Sequence, residues 1–274
     1  MSRLPQELID DIIDHVWAKD TRTLGVCSLV CTKWSVRSRK RLFMRVELRS
    51  RADLEHWCAN IRPGPSGPSQ LVEDLSLLDT RLSMSFPSRE QWTEASSSPV
   101  IQPSTLSNAA SHLQSFSGVR ELRIMGWDTR TVDSSLMLQH LDPLPENVTR
   151  LTLERIYIHS LTFVTFVSHF PRLHDLSIST FELPWGADGI SVFGREPHNS
   201  IVPNHPRGEF STSDMRFYKP EQVFGGITLL EPRFRRVTIK GAWYDQWRVF
   251  WPIVEACAGS LEELEILGAR SIGE

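Results

Sequence analysis

The sequence lacks any run near the roughly 18 consecutive apolar residues that a membrane-spanning helix requires, so no such helix is expected. It opens Met1-Ser2-Arg3-Leu4-Pro5 and passes directly into a charged helical pattern, without the apolar stretch of a secretory signal. Cytoplasm, nucleus or both is therefore the expected location. Cysteine is sparse: Cys27, Cys31, Cys58 and Cys257 are too few and too scattered for a disulfide framework. Cys27 and Cys31 read as two small buried apolar groups in one helix rather than as a metal pair. Net charge is only −3 over 274 residues, which removes the bulk electrostatic reason to expect nucleic acid as a partner. Lysine is scarce too. Lys19, Lys33, Lys40, Lys219 and Lys240 are the five present, so 25 of the 30 basic residues are arginine.

Catalytic signatures are also missing. There is no phosphate-binding loop, no Gly-x-Gly-x-x-Gly, no His-Glu-x-x-His and no Gly-x-Ser-x-Gly. His169 and His174 are separated by a helix end and a proline, a poor arrangement for a metal without a third ligand. His198 and His205 fall in a region read as loop, and Cys58 has no base nearby in sequence. Asn147-Val148-Thr149 is a formal glycosylation sequon, expected to stay unmodified without a secretory route. No catalytic residue, metal or cofactor is assigned, and the chain reads as a non-enzyme.

What is present is clearest in the first fifty residues. From Leu4 to Trp17 apolar residues fall at 8, 9, 12, 13, 16 and 17, the two-and-two rhythm of an amphipathic helix, with Pro5 in its first turn. Asp20-Thr21-Arg22-Thr23 is a polar break with capping residues. A second helix is expected to carry Leu24, Cys27, Val30, Cys31 and Trp34, the last four on one continuous face. Leu29 and Val26 lie off that face, so this helix is apolar on more than one side. A basic run, Arg37 to Arg41, reads as a solvated helix end and is followed by Leu42-Phe43. So short a hairpin cannot hide all this apolar surface in itself. Each fully buried Leu, Ile or Val is worth about 1.5–3 kcal/mol, so something else must cover the excess.

Leu4-Pro5-x-Glu7-Leu8-Ile9-x-x-Ile12-Ile13, then Leu24, then Cys27-Ser28-Leu29-Val30-Cys31-x-x-Trp34, then Phe43, resembles the F-box. The Leu-Pro-x-Glu opening and the Val-Cys-x-x-Trp spacing are the most specific features, and the resemblance spans residues 3–45. Trp17 departs from it, since the family usually has a small or aliphatic residue there. The resemblance implies a small helical module at 1–45 that binds an SKP-type adaptor and, through it, cullin and RING subunits of a ubiquitin ligase. It implies Leu4, Pro5, Leu8, Ile12, Val30, Cys31 and Trp34 as adaptor contacts or as the core presenting them. The remainder, 46–274, would then hold a protein substrate.

That remainder repeats one template, apolar-x-x-apolar-x-apolar. It occurs as Phe43/Val46/Leu48, Val72/Leu75/Leu77, Val119/Leu122/Ile124, Val148/Leu151/Leu153, Leu173/Leu176/Ile178, Phe234/Val237/Ile239 and Leu261/Leu264/Ile266. Most intervals lie near the leucine-rich-repeat period of about 20–29 residues, and two are about double, which signals a missed repeat or an insertion. Helices are expected at 53–61, 160–170 and 244–257, the last presenting Trp247, Phe250, Trp251 and Val254 on one face. The fold class expected is α/β: an irregular solenoid with a parallel sheet, resembling divergent leucine-rich repeats, with a non-repeating α/β domain as the alternative. Proline, glycine and serine mark loops at 62–70 and 93–108 and a long loop at 184–226, the first guess for a substrate-facing feature. After the Leu261 template no helix follows, so a shortened chain with an exposed sheet edge is expected. The other function left open is a stand-alone repeat scaffold for protein–protein interaction, without a ligase link.

Overall fold

The computed structural model describes residues 4–61, 67–78, 113, 115–126, 146–157, 160–182, 204–213, 220–241 and 247–267. Within them the chain is a mixed α/β protein with seven helices and one eight-stranded parallel sheet. No helix among the described residues is long and apolar enough to cross a membrane.

Three helices come first: α1 (Gln6–Trp17), α2 (Thr21–Cys27) and α3 (Thr32–Phe43). Pro5 precedes α1 in extended backbone, where its missing N–H costs nothing. The Asp20 carboxylate accepts the N–H groups of Arg22 (2.9 Å) and Thr23 (3.3 Å), capping α2. The sequence reading ran α2 on to Trp34, and this is corrected. The backbone tightens after Cys27, with Leu29 bonding back to Val26 and Val30 to Cys27, and the Ser28 hydroxyl donates to the Gly25 carbonyl at 2.6 Å. Cys31 is then extended and stands immediately before α3. The single face proposed for Cys27, Val30, Cys31 and Trp34 is therefore split. Cys27 is buried, whereas Cys31, expected to be buried, is exposed. Ile9, Ile13 and Leu24 form a small core, and Val16, Trp17, Trp34 and Leu42 pack against it.

The sheet consists of β1 (Arg45–Leu48), β2 (Asp74–Leu78), β3 (Glu121–Met125), β4 (Arg150–Tyr157), β5 (Asp175–Glu182), β6 (Glu209–Ser213), β7 (Arg236–Lys240) and β8 (Glu263–Leu267). Spatial order equals chain order, and every neighbouring pair is parallel. Parallel neighbours cannot be joined by hairpins, so each strand must be reached by a crossover. Between strands lie α4 (Arg51–Asn60), a 3₁₀ turn at Pro68–Leu71, α5 (Ser160–Ser168), α6 (Pro220–Thr228) and α7 (Trp247–Ala256).

Each of the seven apolar templates lies on a strand, with its second and third positions inside the strand in register. Leu75, Leu122, Leu151, Leu176, Phe210 and Val237 form one buried row. Opposing them, α5 contributes Phe163, Val164, Phe166 and Val167, α6 contributes Phe224 and Ile227, and α7 contributes Phe250 and Ile253. On α7 the buried face runs through Phe250, Ile253 and on to Cys257, while Trp251 is exposed. The face drawn from sequence is corrected accordingly, with the Trp247 side chain outside the described residues.

The long loop expected at 184–226 is also corrected. It contains β6 and the start of α6. Periodicity missed β6 because its copy of the template reads Arg207, Phe210, Thr212, with one apolar residue in three places. Residues 93–108 lie outside the described residues, as do 184–203 and 214–219.

Charge supports the register at the strand starts. Arg45, Asp74, Glu121, Arg150, Asp175, Glu209, Arg236 and Glu263 share one row. Arg45 meets Asp74 at 2.7 Å, Arg150 bridges Glu121 (2.6 Å) and Asp175 (3.1 Å), and Arg236 meets Glu263 at 2.7 Å. A slip of one residue would break these pairs and turn every buried strand residue to the other face. Burial alone would raise the Asp175 carboxyl, but the Glu209 amide, His174 and Arg150 outweigh it and hold it below its ordinary value.

Candidate functional site

Large apolar side chains that remain exposed collect at two places among the described residues. One set is Leu4, Leu8, Ile12, Val26, Leu29, Val30 and Val36. The other is Trp251, Leu264, Ile266 and Leu267. Isolated exposed leucines are ordinary, but seven exposed apolar side chains within 33 residues of chain make this stretch the candidate for a docking surface.

The helix geometry explains why these residues cannot turn inward. Ile9 and Ile13 point into the small core, four residues apart on α1. Leu8 and Ile12 stand one position earlier, about 100° round the helix, and Leu4 precedes them on that side. Leu8 is 49% exposed and Ile12 41%. The turn from Ser28 to Cys31 presents Leu29, 84% exposed, and Val30. Leu24 and Cys27 occupy the inward side of α2, so Val26 is left outside.

One ion cluster holds the two long helices together behind this surface. Asp14 on α1 accepts two bonds from Arg41 (2.7 and 2.5 Å) and two from Arg37 (3.1 and 2.7 Å), both on α3. The Arg41 and then the Arg37 hydrogen bonds hold the Asp14 carboxyl far below the usual carboxylate range. The Arg41 guanidinium also lies over the Trp17 ring, 4.9 Å from its centroid. Trp17, which departs from the F-box pattern, thus serves as the platform for the arginine that clamps α3. Arg37 and Arg41, read from sequence as part of a solvated run, are half-buried structural ligands of Asp14. Beside them a groove of about 520 Å³ is bordered by Gln6 and Asp10 on α1 and by Lys33, Val36 and Lys40 on α3.

Of the residues singled out from sequence, Leu4, Pro5, Leu8, Ile12, Val30 and Cys31 are all on the surface. Trp34 differs: it packs half-buried against Ile9, Ile13 and Leu24 and belongs to the support of the surface. Val26, Leu29 and Val36 were not assigned from sequence. The signal for the first two was there, in the observation that α2 is apolar on more than one side. Val36 carries no such signal, since it is one valine amid charged residues.

Elsewhere two of the histidines considered from sequence are engaged in structure. His169 Nδ1 lies 2.6 Å from the Thr165 carbonyl, and His174 Nδ1 lies 2.8 Å from Asp175. Burial pushes the Cys58 thiol up, the wrong direction for a nucleophile, and does the same to Cys257. Among the described residues no three His, Cys, Asp or Glu side chains gather as metal ligands; His198 lies outside those residues.

Compared with protein-family models the chain matches none, and no curated protein matches it either.

Proposed function

We propose that the chain is the substrate-recognition subunit of an SKP–cullin–F-box type ubiquitin ligase. Residues 1–45 act as an F-box that docks on an SKP-type adaptor. Residues 46–274 act as a divergent leucine-rich-repeat-like solenoid that holds the protein substrate. The observation that carries this reading is the set of seven exposed apolar side chains on residues 4–36, in the stretch that bears the F-box-like motif. The eight parallel strands in chain order support the solenoid part, because a sheet grown one crossover at a time is what stacked strand–helix repeats build.

In this reading no bond is made or broken by the chain itself. Cullin and RING subunits bring the ubiquitin donor close to a bound substrate, and rate comes from proximity and effective concentration. Leu8, Ile12, Leu29 and Val30 enter apolar hollows on the adaptor, with Leu4, Pro5 and Cys31 beside them and Trp34 holding the helices in place. Burying the exposed halves of seven such residues is worth about 5–10 kcal/mol before the costs of association. Lys33 and Lys40 line the groove beside Val36, on the Gln6 and Asp10 side of α1, away from Leu8 and Ile12. Scarce lysine would limit modification of the chain by its own complex.

The test is co-purification of the full chain with an SKP-type adaptor, compared with Leu8→Asp combined with Leu29→Asp. Both positions are exposed, so the variant should fold as before and lose the adaptor. Failure of the unaltered chain to capture the adaptor leaves the stand-alone scaffold in its place. Trp34→Ala is not used, since it would damage the core that supports the surface.

A further inference from the structure

We infer that the outer edge of β8 is a strand-addition site for a partner polypeptide whose extended segment alternates basic and apolar residues. The inference does not rest on the adaptor reading, since it concerns the opposite end of the sheet.

The two edge strands of the sheet are finished differently. On β1, Val46 and Leu48 are buried although the strand is at an edge, because α3 and α4 stand against it. On β8 the same two register positions are Leu264 and Ile266, 42% and 50% exposed. In every strand from β1 to β7 both positions are buried. Trp251 on α7 is exposed as well, and Leu267 is exposed on the other face of the strand, in line with Glu263 and Glu265. Among the described residues the apolar row therefore reaches solvent at β8, where one more strand about 4.8 Å away would cover it.

The charges say what kind of strand fits. The edge carries Glu262, Glu263 and Glu265. Glu262 and Glu263 are balanced on the inner side by Arg235 (3.7 Å) and Arg236 (2.7 Å). Glu265 has no ion pair among the described residues. It faces the polar side of the sheet, two places along from Glu263, so an incoming strand meets two acids separated by one apolar residue. A basic residue opposite each acid would repeat what Arg150 does between Glu121 and Asp175. Apolar residues between them would lie against Leu264 and Ile266.

The same charges argue against a second copy. The fullest antiparallel overlap of two β8 strands sets Glu265 opposite Glu265. The register one pair nearer the start sets Glu263 opposite Glu265. Like charges directly opposed destabilise a strand pair.

The probe is a blocked nine-residue peptide alternating arginine and valine, with a matched peptide alternating glutamate and valine, each titrated into the full chain. The expected result is binding of the arginine peptide alone, with slowed amide exchange confined to residues 263–267. Glu265→Lys, a change at the surface, should weaken the arginine peptide about tenfold and let the glutamate peptide bind. Leu8→Asp with Leu29→Asp should leave this binding unchanged, which separates the result from the fate of the adaptor reading. Equal affinity for the two peptides, protection lying elsewhere, or no response to Glu265→Lys would overturn the inference. So would protection of 263–267 that rises with protein concentration when no peptide is present, since a second copy would then occupy the edge.

Discussion

Asp14→Asn is the sharpest probe of how the exposed surface at residues 4–36 is held in shape. The change keeps the size of the side chain and removes its charge, leaving Arg37 and Arg41 without their shared carboxylate. Four charge-assisted bonds are weakened together. Were the cluster fully buried, the loss would be several kcal/mol, but the Asp14 side chain is 33% exposed and water screens it. Exposed pairs contribute about 0.2–1 kcal/mol each, so two bidentate pairs on one acid are set at about 1–2 kcal/mol. With a urea slope of about 2 kcal/mol per molar, the unfolding midpoint should fall by about 0.5–1 M at pH 7. The pH dependence has a definite sign. The folded carboxyl is depressed, so its contribution is complete above the unfolded value of about 3.9 and drains away as pH falls below it toward the folded value. The gap between the unaltered chain and Asp14→Asn should therefore be constant from pH 7 to about 5 and narrow below pH 4. Urea unfolding followed by circular dichroism across that range measures it. A gap of the same size at pH 3 and pH 7 would show that the carboxylate charge is not what joins α1 to α3.

Further expectations follow from burial and close approach. Ile13→Ala, at a fully buried position, should cost about 2–5 kcal/mol, whereas Leu8→Asp should change stability by no more than about 0.5 kcal/mol, both read from urea midpoints. Phe210→Ala removes the sole large apolar side chain that β6 places in the core and should cost about 3–5 kcal/mol by the same measurement. Gly118→Ala would set a methyl carbon 2.5 Å from the Gln70 carbonyl oxygen and 3.0 Å from that of Val72; because both are backbone atoms, thermal unfolding should show a clear loss of stability. Of the four thiols, Cys31 should react promptly with a thiol reagent under native conditions, Cys58 slowly, and Cys27 and Cys257 only on unfolding, as counted by mass spectrometry.

The parallel sheet was largely legible in one dimension, because a strand with one buried face repeats apolar residues at a spacing of two and the seven templates kept that spacing. β6 was not. Its apolar slots hold Arg207 and Thr212, and Phe210 alone carries no period; the strand exists because β5 and β7 offer it hydrogen-bonding partners on both sides. In the same way the wide apolar stripe of α1 could be read directly, while the break after Cys27 could not. A helix end set by the Ser28 hydroxyl and a tightened turn leaves no mark on hydrophobic spacing.

Local order along the chain thus decided which residues are apolar, where helices and strands begin, and that residues 4–36 hold more apolar surface than two short helices can enclose. Tertiary structure decided which of those residues stay outside. Ile9 and Ile13 meet Leu24, while Leu8, Ile12, Leu29 and Val36 meet solvent, and adjacent residues of identical chemistry are sorted only by which way the packed helices turn them. It decided the roles of charge as well. Asp14 lies 23 residues from Arg37 and 27 from Arg41, and the row from Arg45 to Glu263 spans the whole sheet. Such pairings form between segments brought together by burial, and no spacing along one chain encodes them.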